Sequence, residues 1–456
     1  MNSKININPK SVTKSVIAMS WPTIIAMLIQ TSFNIIDTIF VGKLSADALA
    51  GVSLSFPIMF FALALGNGIG VACTSLISRA LGKKRFDIMR DTLLTSIWVA
   101  IFTGIASTLL TYFFGKPILG IMSSDPNVLN LGWEFLKVYS IALVFITISI
   151  TINSIFRAQG DMKTPMIIMI IAAITNIALD PLFIFGIGSF PNLGVEGAAV
   201  ATLIARTLSV IVGVTLILVK EKQIILPIKF VIKKSVLKEI IKVGIPSSLN
   251  QMASAISILF LNAFVSFFGS NALAAFAVVF RVESLAYLPA IAISNTAITM
   301  VGHTVGKKLI ELSKRITTTV SKMNATIMIS IGILFYLFSK SIIKVFTTQP
   351  KVVSIGSQYF KIVPIEYIFA GILMARIVAF QGAGNAMPSM VLNLLRGLFI
   401  LIPLAYILSR NTSLGLIGIW IAMIISTIIS FLIGEIWYKR KFDYHANKGY
   451  YSIDNV

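Results

Sequence analysis

The chain has 456 residues, of which 57% are hydrophobic and 12% charged, with a mean hydropathy of +0.91. Soluble domains carry about 25% charged residues, so this composition excludes an ordinary water-soluble fold and indicates a polytopic membrane protein nearly throughout. The formal net charge of +21 would suggest nucleic acid in a soluble protein. Here the basic residues fall in short loops between apolar runs, so the charge reads as topology and no nucleic-acid partner is expected.

The polar start, Met1 to Ser15, leads into an apolar run too long for a signal-peptide core, with no small-residue cleavage site after it. Twelve spans are predicted, at roughly 16–41, 49–81, 92–114, 134–157, 164–188, 195–219, 240–268, 272–305, 318–338, 358–380, 388–409 and 415–438. The second and eighth exceed one bilayer crossing, which predicts tilt or overhang. The longest basic connector, Lys220 to Lys242, lies between spans six and seven. Lys and Arg separate by side. The N-terminal arm, Lys83 to Arg90, Arg157 to Lys163, the central connector, Lys307 to Lys322 and the tail Lys439-Arg440-Lys441 carry about 25, against about eight in the other loops. That bias places both termini in the cytoplasm, with Lys340 to Lys361 a basic exception outside. The membrane expected is the plasma membrane.

A shift of 224 positions superposes the two halves. Pro22 falls on Pro246, Ala48-Leu49-Ala50 on Ala272-Leu273-Ala274, Gly82-Lys83-Lys84 on Gly306-Lys307-Lys308, Phe156 on Phe380 and Gly160 on Gly384. After a three-residue slip, Leu193-Gly194 matches Leu414-Gly415 and Gly197 matches Gly418. Each copy holds six spans, an even number, so the copies share one topology. The expected fold is all-α: twelve transmembrane helices in two six-helix bundles related by a pseudo-two-fold axis along the membrane normal, with a substrate path between them. The expected domains are a first bundle at 1–219, a cytoplasmic linker at 220–239, a second bundle at 240–438 and a cytoplasmic tail at 439–456. A chain holding both bundles needs no second copy, so a monomer in the lipid bilayer is expected.

Two carboxylates sit inside apolar runs, in Asn34-Ile35-Ile36-Asp37 and in Asn176-Ile177-Ala178-Leu179-Asp180. A charge at membrane depth costs about 2.5–3.5 kcal/mol even on milder scales, and such groups persist where they line a cavity or bind something. Asn34 and Asp37 are three apart, Asn176 and Asp180 four apart, so each pair shares a helix face. Asp37 lies about 25 Å into span one and Asp180 about 24 Å into span five, at similar heights in the outer half. Pro181 follows directly and cannot donate to the Ile177 carbonyl, which predicts a kink beside a buried acid. In the repeat Asp37 aligns with Leu261 and Asp180 with Leu404, so the fold itself does not demand the acids.

At this point the motifs resemble a family. Trp21-Pro22 through Asn34-Ile35-Ile36-Asp37-Thr38 and Val41-Gly42-Lys43-Leu44 are similar to the first helix of multidrug and toxic compound extrusion (MATE) transporters. So are Arg157-Ala158-Gln159-Gly160-Asp161-Met162-Lys163-Thr164-Pro165, Leu179-Asp180-Pro181-Leu182-Phe183-Ile184-Phe185-Gly186 and Gly194-Val195-Glu196-Gly197-Ala198-Ala199-Val200-Ala201-Thr202. The acids on helices one and five resemble the prokaryotic DinF-like branch. The resemblance implies secondary active export of cationic and amphiphilic compounds by H⁺- or Na⁺-coupled antiport. It carries the ion site onto Asp37, Asn176, Asp180 and Thr202, with Asn153 and Asn34 beside them. If Na⁺ is coupled, Asp37, Asn176, Asp180 and Thr202 supply hard oxygen ligands; if H⁺, two neighbouring buried acids share it. No other cofactor is expected. Gly384-Asn385-Ala386-Met387-Pro388 departs from the pattern in lacking the acid seen at Asp161.

Among the remaining polar residues, Glu283 and Arg281 are read as a pair or as two groups facing the substrate cavity. Glu366 and Gln251 are placed in that cavity, and Arg79, Arg206 and Arg396 are assigned to snorkelling toward headgroups. Two distant histidines and a single cysteine give no soft metal site. Gly66-Asn67-Gly68-Ile69-Gly70 lacks the lysine and hydroxyl of a nucleotide loop, so ATP-driven transport is not expected, nor is an enzyme. The alternative in the same architecture is a flippase for a lipid or lipid-linked sugar, which calls for an Arg/Lys-rich cavity that mid-span arginines are too few to supply. An intramembrane transferase needs clustered acids at the cytoplasmic interface, and a passive channel does not need two bundles.

Overall fold

The computed structural model describes residues 5, 7–220 and 232–456. Among them twelve helices are long and apolar enough to cross a membrane, and every ordered element is helical. They are α1 (Val12–Gly42), α2 (Ala46–Gly82), α3 (Phe86–Met122), α4 (Pro126–Ala158), α5 (Lys163–Phe185), α6 (Val195–Lys220), α7 (Lys234–Ser266), α8 (Ser270–Gly306), α9 (Ile310–Lys344), α10 (Pro350–Gly382), α11 (Met387–Arg410) and α12 (Leu416–Ser452). All twelve expected spans are present. Most of the linker expected at 220–239 lies outside the described residues. The stretch expected as a tail from 439 continues α12 through its basic residues to Ser452. Three of the twelve helices are interrupted, α9 by a kink at Phe338 (φ −103°, ψ 16°). Pro364 lies in a 3₁₀ turn, Val363–Glu366, within α10, and α11 widens to a π-turn at Leu395–Leu401.

The repeat is written in the backbone as well as in the residues. Lys84 and Lys308 share a left-handed φ of 60°, a conformation that side chains with a Cβ avoid. Gly160 and Gly384 share φ 84°, and Gly194 and Gly415 stand at 56° and 53°. Each pair keeps the register read from the sequence.

The chain forms two compact units. One contains Trp21–Ser248 with Ile453–Val456, and the other Ile7–Ser20 with Leu249–Ser452. The unit boundaries therefore fall inside α1 and α7 rather than at the linker, because the first turns of each helix pack with the unit opposite to the rest of it. Both changes of unit come within two residues of the equivalent prolines, Pro22 and Pro246. A proline leaves the carbonyl one turn back without its helical donor and weakens the rod there.

Unit 1 packs Val52, Met59, Phe135, Leu136, Leu143 and Ala198 into one core. Its α2–α4 crossing is set by glycines. A Cβ on Gly51 would stand 2.7 Å from both Gly132 N and Val128 O, and one on Gly132 would stand 2.8 Å from Gly51 O. Small residues let membrane helices approach to backbone contact, where dispersion replaces the hydrophobic drive that lipid cannot supply. Unit 2 is centred on aromatics, with Phe276 stacked on Trp420 at 5.8 Å and Tyr359 edge-on to Trp420 at 4.8 Å.

At the basic end of unit 1, Arg79 is fully buried, donates from Nε to Ser75 O at 3.2 Å and lies 3.8 Å from Glu239 at the start of α7. It does not snorkel. Lys83 pairs with Asp454 at 2.6 Å and Lys233 with Asp91.

Gly51→Ala is expected to force α2 and α4 apart at a cost of about 1–3 kcal/mol. Gly120→Ala, whose Cβ would meet only Leu129 Cδ1 at 3.5 Å, should leave stability unchanged or raise it. Thermal unfolding of the two purified variants in detergent checks the contrast.

Candidate functional site

In unit 1 the helix ends set a depth scale. Asp37 lies five residues before the end of α1, and Asp180 five before the end of α5. Both carboxylates are thus about 8 Å from the same end of their helices. Thr202 lies about 11 Å and Asn176 about 14 Å from that end, on α6 and α5. Asp180 is fully buried and Asp37 half-buried.

Asn176 links α5 to α6. The amide orientation that satisfies every neighbour points Nδ2 at Asp180 Oδ2 at 2.9 Å, while its oxygen accepts from Thr202 N at 3.1 Å and Thr202 Oγ1 at 3.3 Å. Asp180 Oδ1 and Asp37 Oδ1 are buried and have no hydrogen-bond partner. Neither carboxylate has a basic side chain within ion-pair distance among the described residues. The structure therefore brings Asp180, Asn176 and Thr202 into direct contact and sets Asp37 at the same level, close enough for its charge to act on Asp180.

Two predicted residues lie apart from this group. Asn34 is exposed, and its Oδ1 accepts from Gln30 Nε2 at 3.1 Å. Asn153 is buried with an unpartnered Oδ1, but it sits about 18 Å nearer the opposite end of the bundle than Asp180, because α4 and α5 run antiparallel from a shared turn. Asp161 starts α5, accepting from Thr164 N at 3.0 Å and Thr164 Oγ1 at 2.8 Å. That helix-starting role accounts for the acid in the motif.

Residues outside the sequence reading complete the site. Below Asn176 a pocket is lined by Gln30, Phe33, Asn176, Thr202, Ala205 and Arg206, among others. Arg206 lies about 17 Å into α6, at mid-helix. It donates from Nη2 to Gln30 Oε1 at 3.1 Å, and its guanidinium stands 5.9 Å from the Phe33 ring centre. The snorkelling assignment fails here because the side chain turns into the pocket rather than toward a helix end. Gln30 had a readable signal, since it is four residues before Asn34 on the Asp37 face of α1. Tyr139, buried on α4 where charges on Arg206 and Asp37 both reach it, had none.

Unit 2 holds a second acidic group. Glu283 on α8 is buried and accepts from Tyr359 Oη at 3.0 Å. Glu366, in the 3₁₀ turn of α10, is buried and accepts from Thr427 Oγ1 at 2.8 Å. Arg396, carried on the π-turn of α11, is close enough for its charge to act on both. Its side chain is half-buried. The expected Arg281–Glu283 pair is not formed. Residues two apart on a helix point to different faces, and Arg281 is exposed while Glu283 is buried. Gln251 is half-buried on α7.

The MatE family model matches residues 22–182 and 246–407, more than half of the chain and with starts 224 residues apart. The chain belongs to the MatE family. It is 29% identical over 437 residues to a probable multidrug resistance protein NorM of Thermotoga maritima, covering 94% of each chain. It is 24% identical to a FAD transporter of Shewanella oneidensis, covering 90% of this chain and 91% of that one. Solved structures of MATE in a bent and in a straight conformation match with TM-scores of 0.89 and 0.88, at 26% and 27% identity. They cover 97% and 96% of this chain and 97% of theirs.

Within this MatE chain Arg376 is buried in unit 2 and Arg281 is exposed. Arg376 pairs with Glu435 on α12. Its Nε donates to Glu435 Oε2 at 2.7 Å, its Nη2 donates to Glu435 Oε1 at 3.2 Å, and the guanidinium covers Tyr438 at 4.2 Å. Arg376→Met removes two hydrogen bonds from Glu435 and leaves it only the Lys439 ammonium at 3.6 Å, and is expected to cost about 2 kcal/mol. Arg281→Met, on an exposed side chain, should cost less than about 0.5 kcal/mol. Unfolding midpoints of both variants against the parent chain read this difference.

Proposed function

We propose that this MatE chain is a secondary active multidrug efflux transporter that exports cationic and amphiphilic compounds by proton- or sodium-coupled antiport. The single observation that carries this reading is the pair of buried, unpartnered carboxylate oxygens on Asp37 and Asp180. Two acids at membrane depth with no basic partner are stable only when they hold protons or a cation. Both ions fit the oxygen donors of Asp37, Asn176, Asp180 and Thr202. Relatives named for multidrug resistance support the cargo class, and the bent and straight structures support alternating access between two arrangements of the helices.

In this reading the ion enters from outside and neutralises the acids. The neutralised site then favours a different shape of α1, weakened at Pro22, and of α5, weakened at Pro181. Cargo must bind one of the two states better than the other, or no coupling results. Glu283 and Glu366 take cationic groups of the cargo in unit 2, with Gln251 at its margin. Arg281 is left out of the cavity. The protein acts as a monomer in the plasma membrane with both termini in the cytoplasm.

A second reading, a flippase for a lipid or lipid-linked sugar, draws on Arg206 and Arg396, two basic groups within the spans. Liposomes containing the parent chain, Asp37→Asn or Asp180→Asn decide between them. Ethidium accumulation driven by an imposed pH or Na⁺ gradient, and reduced at least about tenfold in both variants, is the expected result and names the ion. Intact dye binding without gradient-driven movement in the parent chain would sink the antiport reading in favour of the flippase. Transport surviving both substitutions would remove these acids from the mechanism.

A further inference from the structure

An antiporter must stop its coupling ion from running through the protein without cargo. In unit 1 the polar groups do not end at the acids. Asn176 and Thr202, hydrogen-bonded to each other below Asp180, also line the small space on the side away from it. Both offer oxygens that suit a hard cation, so this layer bars the way by its hydrogen bonds and not by charge. Below the space the polar groups continue. Ser209 Oγ donates to Ser149 Oγ at 2.9 Å, and one turn further along α4 Asn153 has a buried oxygen without a partner. The space itself is about the size of one water molecule, with Gln30, Asn176, Thr202 and Arg206 as its polar walls.

Arg206 stands at this point. It lies about 9 Å nearer the opposite end of the helices than the acids, one turn above the serine pair. No carboxylate among the described residues reaches its guanidinium within ion-pair distance. One bond goes to the neutral Gln30 Oε1, and the Phe33 ring centre is 5.9 Å away. Gln30 is in turn fixed by its donation to Asn34 Oδ1, so the charge is held in place and not cancelled. A guanidinium stays protonated at every working pH, so it can neither pass a proton on nor be switched off by losing one. Ala172, Ala173, Ala205 and Met169 make the remaining walls apolar, which extends the reach of that charge. A fixed positive charge beside a passage one water wide is a known physical means of turning back cations and protons.

We propose that Arg206 is an electrostatic barrier. It keeps the coupling cation, once held at Asp37, Asn176, Asp180 and Thr202, from slipping onward through unit 1, so that the ion leaves only when the helices rearrange. The proposal rests on the antiport reading above and deepens it, assigning the tightness of coupling to a residue that touches neither acid. The repeat shows that the scaffold does not need a cation at this position. Its counterpart in the second copy is the neutral Thr427, which there serves Glu366 directly.

The test uses the full chain in liposomes with no cargo present. Decay of an imposed pH gradient is followed with an enclosed pH dye, and uptake of radioactive sodium reads a Na⁺ leak, with valinomycin and K⁺ carrying the compensating charge. The parent chain is expected to hold both gradients. Arg206→Gln, which removes the charge yet can still donate to Gln30, should leak the coupling ion at least about tenfold faster. Gln30→Glu, which cancels the charge by pairing with it, should leak as well, so the result does not hang on the folding of one variant. Monodisperse elution before reconstitution shows that each is folded. Arg206→Lys retains the charge and should stay within about twofold of the parent chain. Adding Asp180→Asn to Arg206→Gln should abolish the leak, because the ion enters by way of the acids, whereas a hole made by damage would stay open. A folded neutral variant as tight as the parent chain, an Arg206→Lys leak equal to that of Arg206→Gln, or a leak that survives Asp180→Asn overturns the barrier. Gradient-driven ethidium accumulation by the parent chain tests export separately, and with it intact any of these outcomes removes the barrier alone. A parent chain that dissipates the gradients without cargo overturns barrier and antiport together.

Discussion

Inside a bilayer no water is available to complete a hydrogen bond, so every polar atom along α1, α5 and α6 is satisfied by the protein, by what it binds, or not at all. Backbone groups settle this by forming helices. Side chains settle it by contact across helices, and unit 1 does so as a descending column. The acids come first, then the Asn176–Thr202 layer, then Gln30 with Arg206. Asn176 is the hinge of the column because an amide is both donor and acceptor. It donates to a charged Asp180 in the orientation described, and the reverse orientation would accept from a protonated one. The protonation state of one carboxylate is thereby tied to the amide and, through it, to α6.

The column would be inert if its helices were rigid rods belonging to one body. They are not. α1 changes unit beside Pro22, α7 changes unit beside Pro246, and α5 carries Pro181 next to the buried acid. In each case the helix has lost one backbone bond, and in α1 and α7 it has lost it where the helix passes from one unit to the other. The glycine contact of α2 with α4, by comparison, is close-packed backbone on backbone and has little freedom to slide. Unit 1 therefore joins a tight pair to a proline-weakened helix that bears a charge.

The fold was largely legible in the sequence, since lipid demands long apolar helices and a 224-residue register survives in both residues and φ angles. The heights of Asp37 and Asp180 followed from counting at a fixed rise. What counting could not give was the direction in which a long side chain points. Arg206 was assigned to a headgroup although it stands at mid-helix, and only its bond to Gln30 reveals the pocket. Arg281 and Glu283 were paired by closeness along the chain, which a helix contradicts within two residues. Asn153 entered by resemblance, and helix geometry sets it far from the acids. The α1 and α7 crossings were invisible because membership of a packed unit depends on tertiary contact, not on where apolar runs stop.

The repeat also shows how differently two copies of one scaffold are furnished. Under the register after the loop slip, Arg206 corresponds to Thr427, and Thr427 is the residue that donates to Glu366. The acids themselves fall at unrelated positions: helices one and five in the first copy, eight and ten in the second. Their chemical situations differ too. Glu283 and Glu366 each accept a bond from a hydroxyl, whereas Asp37 and Asp180 each keep a buried oxygen with nothing on it. A carboxylate already served by a donor gains less from an arriving cation than one that is not, because the bond must be shared or given up. The larger change in free energy on ion binding thus belongs to unit 1. Its acids are the better placed to drive a conformational cycle, and those of unit 2 to recognise what the cycle carries.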